Sequence, residues 1–190
     1  MKNMIISKGS YGYIANHRWV AAARTLLFFG VSIGLYIMGY VTTGSNRNLL
    51  TVVAVLGCLP ACKSLVNLIV FIRASGCSEA LKDRVCIYDE KLRTFYDMYF
   101  TSYQKNFAVS HMVLKGNVLC GVTESAGCDC SRAEKHLDQI LLQEGIKNIT
   151  VKIYSDTDKY IDRLGQIIYL DADESRSCGQ IIDLLYSIVI

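Results

Sequence analysis

The chain has 190 residues and a formal net charge of +3, but its charges are unevenly divided. Residues 1–73 contain seven Lys and Arg and no acidic residue, whereas residues 74–190 contain 13 Lys and Arg and all 17 acidic residues. A net-acidic C-terminal part is poorly matched to a phosphate backbone, because duplex binding depends on many Lys and Arg contacts. Nucleic acid is therefore not an expected partner.

Two long apolar runs, residues 25–41 and residues 49–72, dominate the first part of the chain, and the polar link 42–48 separates them. An apolar run of about 17–25 residues matches the hydrocarbon thickness of a bilayer when it forms a helix. The sequence therefore predicts a two-helix transmembrane hairpin at residues 25–72. Residues 1–24 precede it as a basic juxtamembrane lead-in. The sequence is compatible with either an interfacial helix or a flexible tail in this segment.

The distribution of positive charge predicts the orientation of this hairpin. Lys and Arg precede the first run and follow the second, while the link contains only Arg47. The positive-inside rule then places both termini in the cytoplasm and the link outside. A signal peptide is disfavoured, because a long basic segment precedes the first run and no small-residue cleavage site follows it. In a reducing cytosol the eight cysteines would be thiols rather than disulfides.

Two glycines of the first run, Gly30 and Gly34, are spaced four residues apart. They share one helical face and allow a neighbouring backbone to approach closely. We expect this face to pack against the second helix, or else to support self-association or contact with a membrane partner.

The second run contains a polar face made of Pro60, Lys63, Ser64 and Asn67, whose spacings of three and four place them on one side of a helix. Pro60 removes a backbone hydrogen bond and is expected to kink the helix. A lysine within a bilayer is costly unless it is paired or hydrated, and residues 1–73 contain no acidic partner for it. Lys63 therefore makes an assembly contact or lines a polar pathway, or the helix tilts so that the ammonium reaches the inner headgroups.

Residues 73–190 have the pattern of a small cytosolic α+β domain. After a hinge at residues 74–76, helices are predicted at residues 79–84 and 90–103. The second of these follows from apolar residues at helical spacing, although its many aromatic residues also permit a strand. The β-branched runs 107–114 and 118–123 flank a Gly-Asn pair and predict a β-hairpin.

The remainder of the domain alternates helices and a strand. Ser131 and Glu134 form a capping box for a helix that ends at Gly145. Alternation at residues 149–154 predicts a strand that pairs in parallel with a hairpin strand through a helical crossover. Two more helices start near residues 155 and 178. The predicted fold class is thus a transmembrane hairpin followed by a cytosolic α+β domain with the order helix, β-hairpin, helix, strand, helix, helix.

A few side chains of the domain were considered for chemistry. Cys128, Cys130 and His136 are zinc-ligand types, but the C-x-C spacing and the missing fourth ligand argue against a structural zinc site. We predict no metal and no cofactor. Six carboxylates are also close in sequence, and a solvated face explains them better than acid-base chemistry. They are Asp156, Asp158, Asp162, Asp171, Asp173 and Glu174.

These patterns favour a non-enzymatic accessory or adaptor protein that is anchored in the cell membrane. Its expected partners are the lipid bilayer and either a membrane protein or a second copy of the chain. One alternative is an enzyme tethered to the inner leaflet, with its site near residues 124–136 and 156–162. The other alternative is a small subunit of a transporter or channel complex.

Overall fold

The computed structural model describes residues 6–102, 105–170 and 177–190. The chain divides into two compact units. One is the helical hairpin Ala15–Ala74, and the other combines Met1–Ile14 with Ser75–Ile190. The fold thus consists of two long apolar helices and a small α+β unit with a four-stranded sheet.

The hairpin consists of α1, Tyr13–Thr43, and α2, Leu49–Arg73. Asn48 caps α2, because its side-chain oxygen accepts a hydrogen bond from the Thr51 amide at 2.7 Å. Helix α1 begins well before the apolar run at residue 25, and the alanine-rich segment 21–23 favours this extension. Both helices are long enough and apolar enough to cross a membrane.

Small side chains form the contact between the two helices. The buried residues include Thr25 and Ser32 on α1 and Ala54 and Ala61 on α2. A Cβ added to Gly57 would lie 2.8 Å from Ser32 Oγ, so the helices approach closely at this point. The large apolar side chains are mostly exposed along the rest of both helices.

The α+β unit is built on one sheet with the strand order β1-β2-β3-β4. The strands are β1, Arg93–Phe100; β2, Phe107–Lys115; β3, Val118–Val122; and β4, Thr150–Tyr154. The predicted β-hairpin is confirmed by the antiparallel pair β2 and β3, which turns at Gly116 with a φ of +55°. The predicted parallel pairing of the later strand is also confirmed, since β4 is parallel to β3.

The helix predicted at residues 90–103 is wrong, because Arg93–Phe100 forms strand β1. Its last six residues are all buried. Phe95 packs into the core on one face of the sheet and Tyr96 into the core on the other. A strand that is buried on both faces loses the simple apolar-polar alternation, and aromatic side chains fit a pleated surface well. Tyr103, where the predicted helix ended, lies outside the described residues.

Helices cover both faces of the sheet. They are α3, Glu79–Val85; α4, Cys130–Gln143; α5, Thr157–Ile168; and α6, Ser177–Ile188. Side chains of α4 and α6 share a core with one face of the sheet, and side chains of α3 and α5 share a core with the other. The unit therefore has three layers with the sheet in the middle.

The capping box predicted at Ser131 and Glu134 is wrong. The cap of α4 is Asp129, whose carboxylate accepts a hydrogen bond from the Arg132 amide at 3.1 Å. Glu134 Oε1 instead accepts a hydrogen bond from the Ile153 amide of β4 at 2.9 Å. Ser131 and Glu134 are residue types that often cap helices, but in the structure Glu134 connects α4 to the sheet.

Two distant parts of the chain cover the outer edge of β1. The Tyr96 amide donates to the Gly9 carbonyl at 2.8 Å, and Phe100 forms a β-bridge with Val189. The Lys8 ammonium donates to the Val189 carbonyl at 2.7 Å. Residues that the sequence assigns to the lead-in therefore belong to the α+β unit in the structure.

Candidate functional site

The polar residues of α2 line an open groove on the hairpin, which we call the basic groove. Its lining residues are Arg24 and Phe28 from α1 and Pro60, Lys63, Ser64 and Asn67 from α2. The groove has a volume of about 410 Å³. The four α2 residues meet because positions three and four apart share one helical face, as the sequence predicts. Sequence reasoning did not find the contribution of Arg24, which depends on how α1 packs against α2.

A chain of hydrogen bonds fixes one wall of the basic groove. Arg24 Nε donates to Ser64 Oγ at 3.3 Å, and Ser64 Oγ lies 2.8 Å from Thr25 Oγ1. Thr25 Oγ1 donates to the Ala21 carbonyl at 2.8 Å. Because each hydroxyl has a single hydrogen, Ser64 donates to Thr25 and accepts from Arg24. The chain satisfies both buried hydroxyls and holds the Arg24 side chain at the groove.

The basic groove carries two positive side chains and no internal counter-ion. Within the described residues, no hydrogen bond or ion pair involves the Lys63 ammonium. Residues 1–73 contain no Asp or Glu that could neutralise either Lys63 or Arg24. Two cations in one groove without an internal counter-ion complement an anionic ligand.

Gly30 and Gly34 have no neighbour across the hairpin. A Cβ added at either position would meet no atom within 4 Å in the described part of the chain. The close approach between the helices occurs at Gly39 and Gly57, where an added Cβ would lie less than 3 Å from other side-chain atoms. The face of Gly30 and Gly34 is thus left open by the hairpin itself.

The three side chains considered for zinc are not brought together. Cys128 and Cys130 pack against the core, and burial raises the pKa of Cys130 and so disfavours the thiolate that a metal requires. The His136 ring lies 5.7 Å from the Phe107 ring, between centroids. Across the described ranges, no group of three or more His, Cys, Asp or Glu side chains is arranged to hold a metal ion.

Three of the carboxylates predicted to form a solvated face lie in the described part of the chain, and they have structural partners or face solvent. Asp156 caps α5 by accepting a hydrogen bond from the Asp158 amide at 3.0 Å, and such amide bonds lower the pKa of Asp156. Asp158 pairs with Arg84, and Asp162 is exposed. The remaining members of the set, Asp171, Asp173 and Glu174, lie outside the described residues.

Glu124, at the start of the other region considered for an enzyme site, binds the beginning of α3. Its carboxylate accepts hydrogen bonds from the Ser78 amide, at 2.8 Å, and from the Ser78 hydroxyl. Ser78 Oγ in turn accepts a hydrogen bond from the Leu81 amide at 3.1 Å. Both carboxylate oxygens of Glu124 are therefore used to hold a helix end.

A buried polar cluster lies between the sheet and α5, and sequence reasoning missed it. His111 Nδ1 lies 2.8 Å from the Tyr160 hydroxyl, and His111 Nε2 lies 3.9 Å from Asp89. The Tyr96 hydroxyl donates to Asp89 at 2.7 Å. Burial lowers the pKa of His111 and raises the pKa of Tyr96. His111 is fully buried, whereas Asp89 at the other end of the cluster is partly exposed.

Asp97 is a second buried polar residue that sequence reasoning missed. Its φ is +54°, and only 2% of it is exposed. Its carboxylate accepts hydrogen bonds from the Cys77 amide at 2.6 Å and from the Ile14 amide at 3.4 Å. Burial raises the pKa of Asp97 although these amide bonds act in the opposite direction. The one sequence feature that could have indicated a special role for Asp97 is its position as a single charge inside an aromatic run.

Comparison with known proteins identified no relative of this chain. No protein family model matches the chain, and no curated protein or solved structure matches it at a significant level. Function is therefore inferred from the residues of the two units.

Proposed function

We propose that this chain is a membrane-anchored accessory or adaptor protein whose hairpin spans the bilayer twice. The observation that carries the proposal is the apolar outer surface of the hairpin. Large apolar side chains are exposed along both helices, for example Leu26 at 77% and Leu59 at 69%. Exposed contiguous apolar surface of this kind is unfavourable in water and favourable in lipid.

The lengths of the helices support a spanning arrangement. Helix α1 has 31 residues and α2 has 25, and about 20 residues of helix are needed to cross a bilayer. A helix satisfies most of its backbone hydrogen-bonding groups within the same segment, which lipid requires. The α+β unit has its own buried core on both sides of the sheet, so the hairpin helices are not needed to complete that core.

The proposed orientation has both termini in the cytoplasm and the link outside. It is supported by the distribution of Lys and Arg, because the link contains Arg47 alone and the segments on the other side contain several basic residues. The free thiols of the α+β unit are consistent with the same compartment.

The adaptor part of the proposal follows from how the polar groups are used. Several described carboxylates and thiols of the α+β unit have structural roles: Asp156 caps a helix, Glu124 holds the start of α3, and Cys130 packs against the core. The hairpin, by contrast, leaves the face of Gly30 and Gly34 open. A second copy of the chain or a helix of a membrane partner would close this face, and the α+β unit would then be held beside that partner.

Labelling of intact cells with a membrane-impermeant maleimide tests the orientation. A Ser45→Cys variant places a thiol in the link, and the exposed native thiol of Cys86 reports the other side. We expect the variant to gain label over wild type in intact cells, and the native thiols of the α+β unit to react only after permeabilisation. Labelling of those native thiols in intact cells would reverse the orientation.

A separate fractionation tests whether the chain is in the membrane at all. We expect it to remain in the pellet after a high-salt or carbonate wash and to be released only by detergent. Release without detergent would remove the membrane anchor from the proposal.

A further inference from the structure

We propose that the basic groove binds the phosphate of an anionic phospholipid in the inner leaflet. This inference rests on the membrane placement proposed above and names a ligand for the hairpin. Its two cations, Arg24 and Lys63, come from different helices and line the same 410 Å³ groove. Residues 1–73 offer them no carboxylate, so their counter-ion must come from outside the hairpin.

The depth of the groove matches a lipid headgroup. Between the link and Arg24 lie residues 25–41 of α1, which rise by about 25 Å at 1.5 Å per residue. Between the link and Lys63 lie residues 49–62 of α2, which rise by about 21 Å. The hydrocarbon layer is about 30 Å thick, and long basic side chains extend several ångströms towards the headgroups. Both charges can therefore reach the phosphates of the leaflet opposite the link.

This depth also resolves the difficulty that the sequence raises about Lys63. Measured from the end of the second apolar run, Lys63 is deep in the bilayer. Measured from the link, it lies about 9 Å from the inner boundary, a distance that its long side chain largely bridges, and Arg24 lies at the same groove. The two residues thus mark one basic level on the hairpin rather than an isolated charge in the hydrocarbon.

The donors of the groove fit a phosphodiester. Arg24 is held through its Nε by Ser64, and the planar guanidinium has four further N–H groups for an anion. Lys63 supplies a compact positive charge, and the amide of Asn67 supplies another donor. Phe28 and Pro60 add apolar walls against which an acyl chain or glycerol backbone can pack.

The charge of the groove predicts which lipid is preferred. Two cations attract a headgroup with a net negative charge, such as phosphatidylglycerol. A zwitterionic headgroup brings a positive choline together with its phosphate, and its attraction to the groove is weaker. We therefore expect selectivity for the anionic lipid over phosphatidylcholine with the same acyl chains.

Native mass spectrometry of the full-length protein in mild detergent tests the proposal. Phosphatidylglycerol and phosphatidylcholine with identical acyl chains are added at equal concentration to wild type, Arg24→Gln, Lys63→Gln and Arg47→Gln. Each groove variant should lower phosphatidylglycerol retention about fivefold, the effect of one Lys or Arg near an anionic surface. Arg47→Gln, which removes a charge from the link, should leave retention unchanged. Lys63→Arg should restore it.

The outcomes separate the possible ligands. Equal retention of both lipids, or unchanged retention in both groove variants, would overturn the proposal. A free-anion site is indicated if inorganic phosphate competes at the concentration of the lipid, and this also contradicts the lipid assignment. The lipid assignment is also contradicted if Lys63→Gln loses a co-purifying membrane protein but retains lipid as wild type does. In that case the groove binds a carboxylate of the partner protein.

Two controls keep failure of this inference distinct from failure of the membrane anchor. Circular dichroism of each variant checks that the helices remain folded. The detergent-free wash described above, applied to the same preparations, reports membrane placement without reference to lipid type. If the protein is released from membranes only by detergent but shows no lipid preference, the proposed lipid site is wrong and the proposed membrane anchor stands.

Discussion

Single buried polar residues hold the α+β unit together at points that its sequence does not reveal. Asp97 and His111 are both almost fully buried, at 2% and 0% exposed. Their partners, among them Cys77, Ile14 and Tyr160, come from other parts of the chain. A buried polar group is stabilising only while its partners are present, so these residues are sensitive positions.

Replacement of Asp97 by alanine should destabilise the α+β unit by about 1–3 kcal/mol, because the Cys77 amide loses its buried acceptor. The positive φ at this position adds to the cost, since alanine tolerates it less well than aspartate does. The change is measured as a shift of the thermal midpoint of full-length protein in detergent, followed by near-ultraviolet circular dichroism. Asp162→Ala, which removes an exposed carboxylate, is the control and should be close to neutral.

His111 should make stability depend on pH. Burial lowers the pKa of His111 in the folded state, so the unfolded chain binds the proton more readily. The stabilisation is therefore complete above the ordinary histidine pKa of about 6.5 and is lost as the pH falls below it. At pH 5.5 the loss reaches up to about 1.4 kcal/mol relative to pH 7.5.

Thermal unfolding between pH 7.5 and pH 5.5 measures this dependence. His111→Gln should reduce the pH dependence, because it removes the buried imidazole that resists protonation in the folded state. His136→Gln, at a histidine that is only half-buried, is the control. Identical pH profiles for wild type and His111→Gln would assign the dependence to other groups.

At the scale of the helices, the two pairs of glycines in the hairpin have opposite roles. An added Cβ at Gly57 would lie 2.8 Å from Ser32 Oγ, whereas one at Gly34 meets nothing within 4 Å. Gly57 is therefore needed for contact between α1 and α2 within the described hairpin. Gly34 is available for contact with another molecule.

This contrast predicts different outcomes for two matched substitutions. Gly57→Leu should disrupt the hairpin and lower the thermal midpoint of the helices. Gly34→Leu should leave the fold intact and weaken association with a second copy or a membrane partner, measured by cross-linking in membranes. If Gly34→Leu leaves every cross-linked product unchanged, the open face is not the contact surface.

The elements themselves could be predicted unequally well, and for physical reasons. The apolar runs of α1 and α2 and the face of α5 with Tyr160 and Leu164 follow from local periodicity. The sequence predicts a helix where strand β1 lies, because the aromatic residues of β1 pack into two cores and their spacing resembles a helical repeat. The cap of α4 was placed two residues late, since Asp129 and Ser131 are both good capping residues.

The whole molecule was predictable in its division into an apolar hairpin and an α+β unit, because composition changes sharply near residue 74. The candidate site was predictable in part. The helical spacing of Pro60, Lys63 and Asn67 gives one wall of the groove, but the position of Arg24 depends on the packing of α1 against α2. The cluster of Asp89, Tyr96, His111 and Tyr160 depends on strand register and could not be read from local sequence.

The closure of the β1 edge has a consequence for biosynthesis. Gly9 leaves the ribosome before the hairpin, β1 after it, and Val189 much later, yet all three meet at one edge. After β1 has emerged, the Phe100 end of its edge therefore stays unpaired until Val189 has been synthesised. An unpaired strand edge can pair with other chains, so the arrival of Val189 removes a site of misfolding or aggregation.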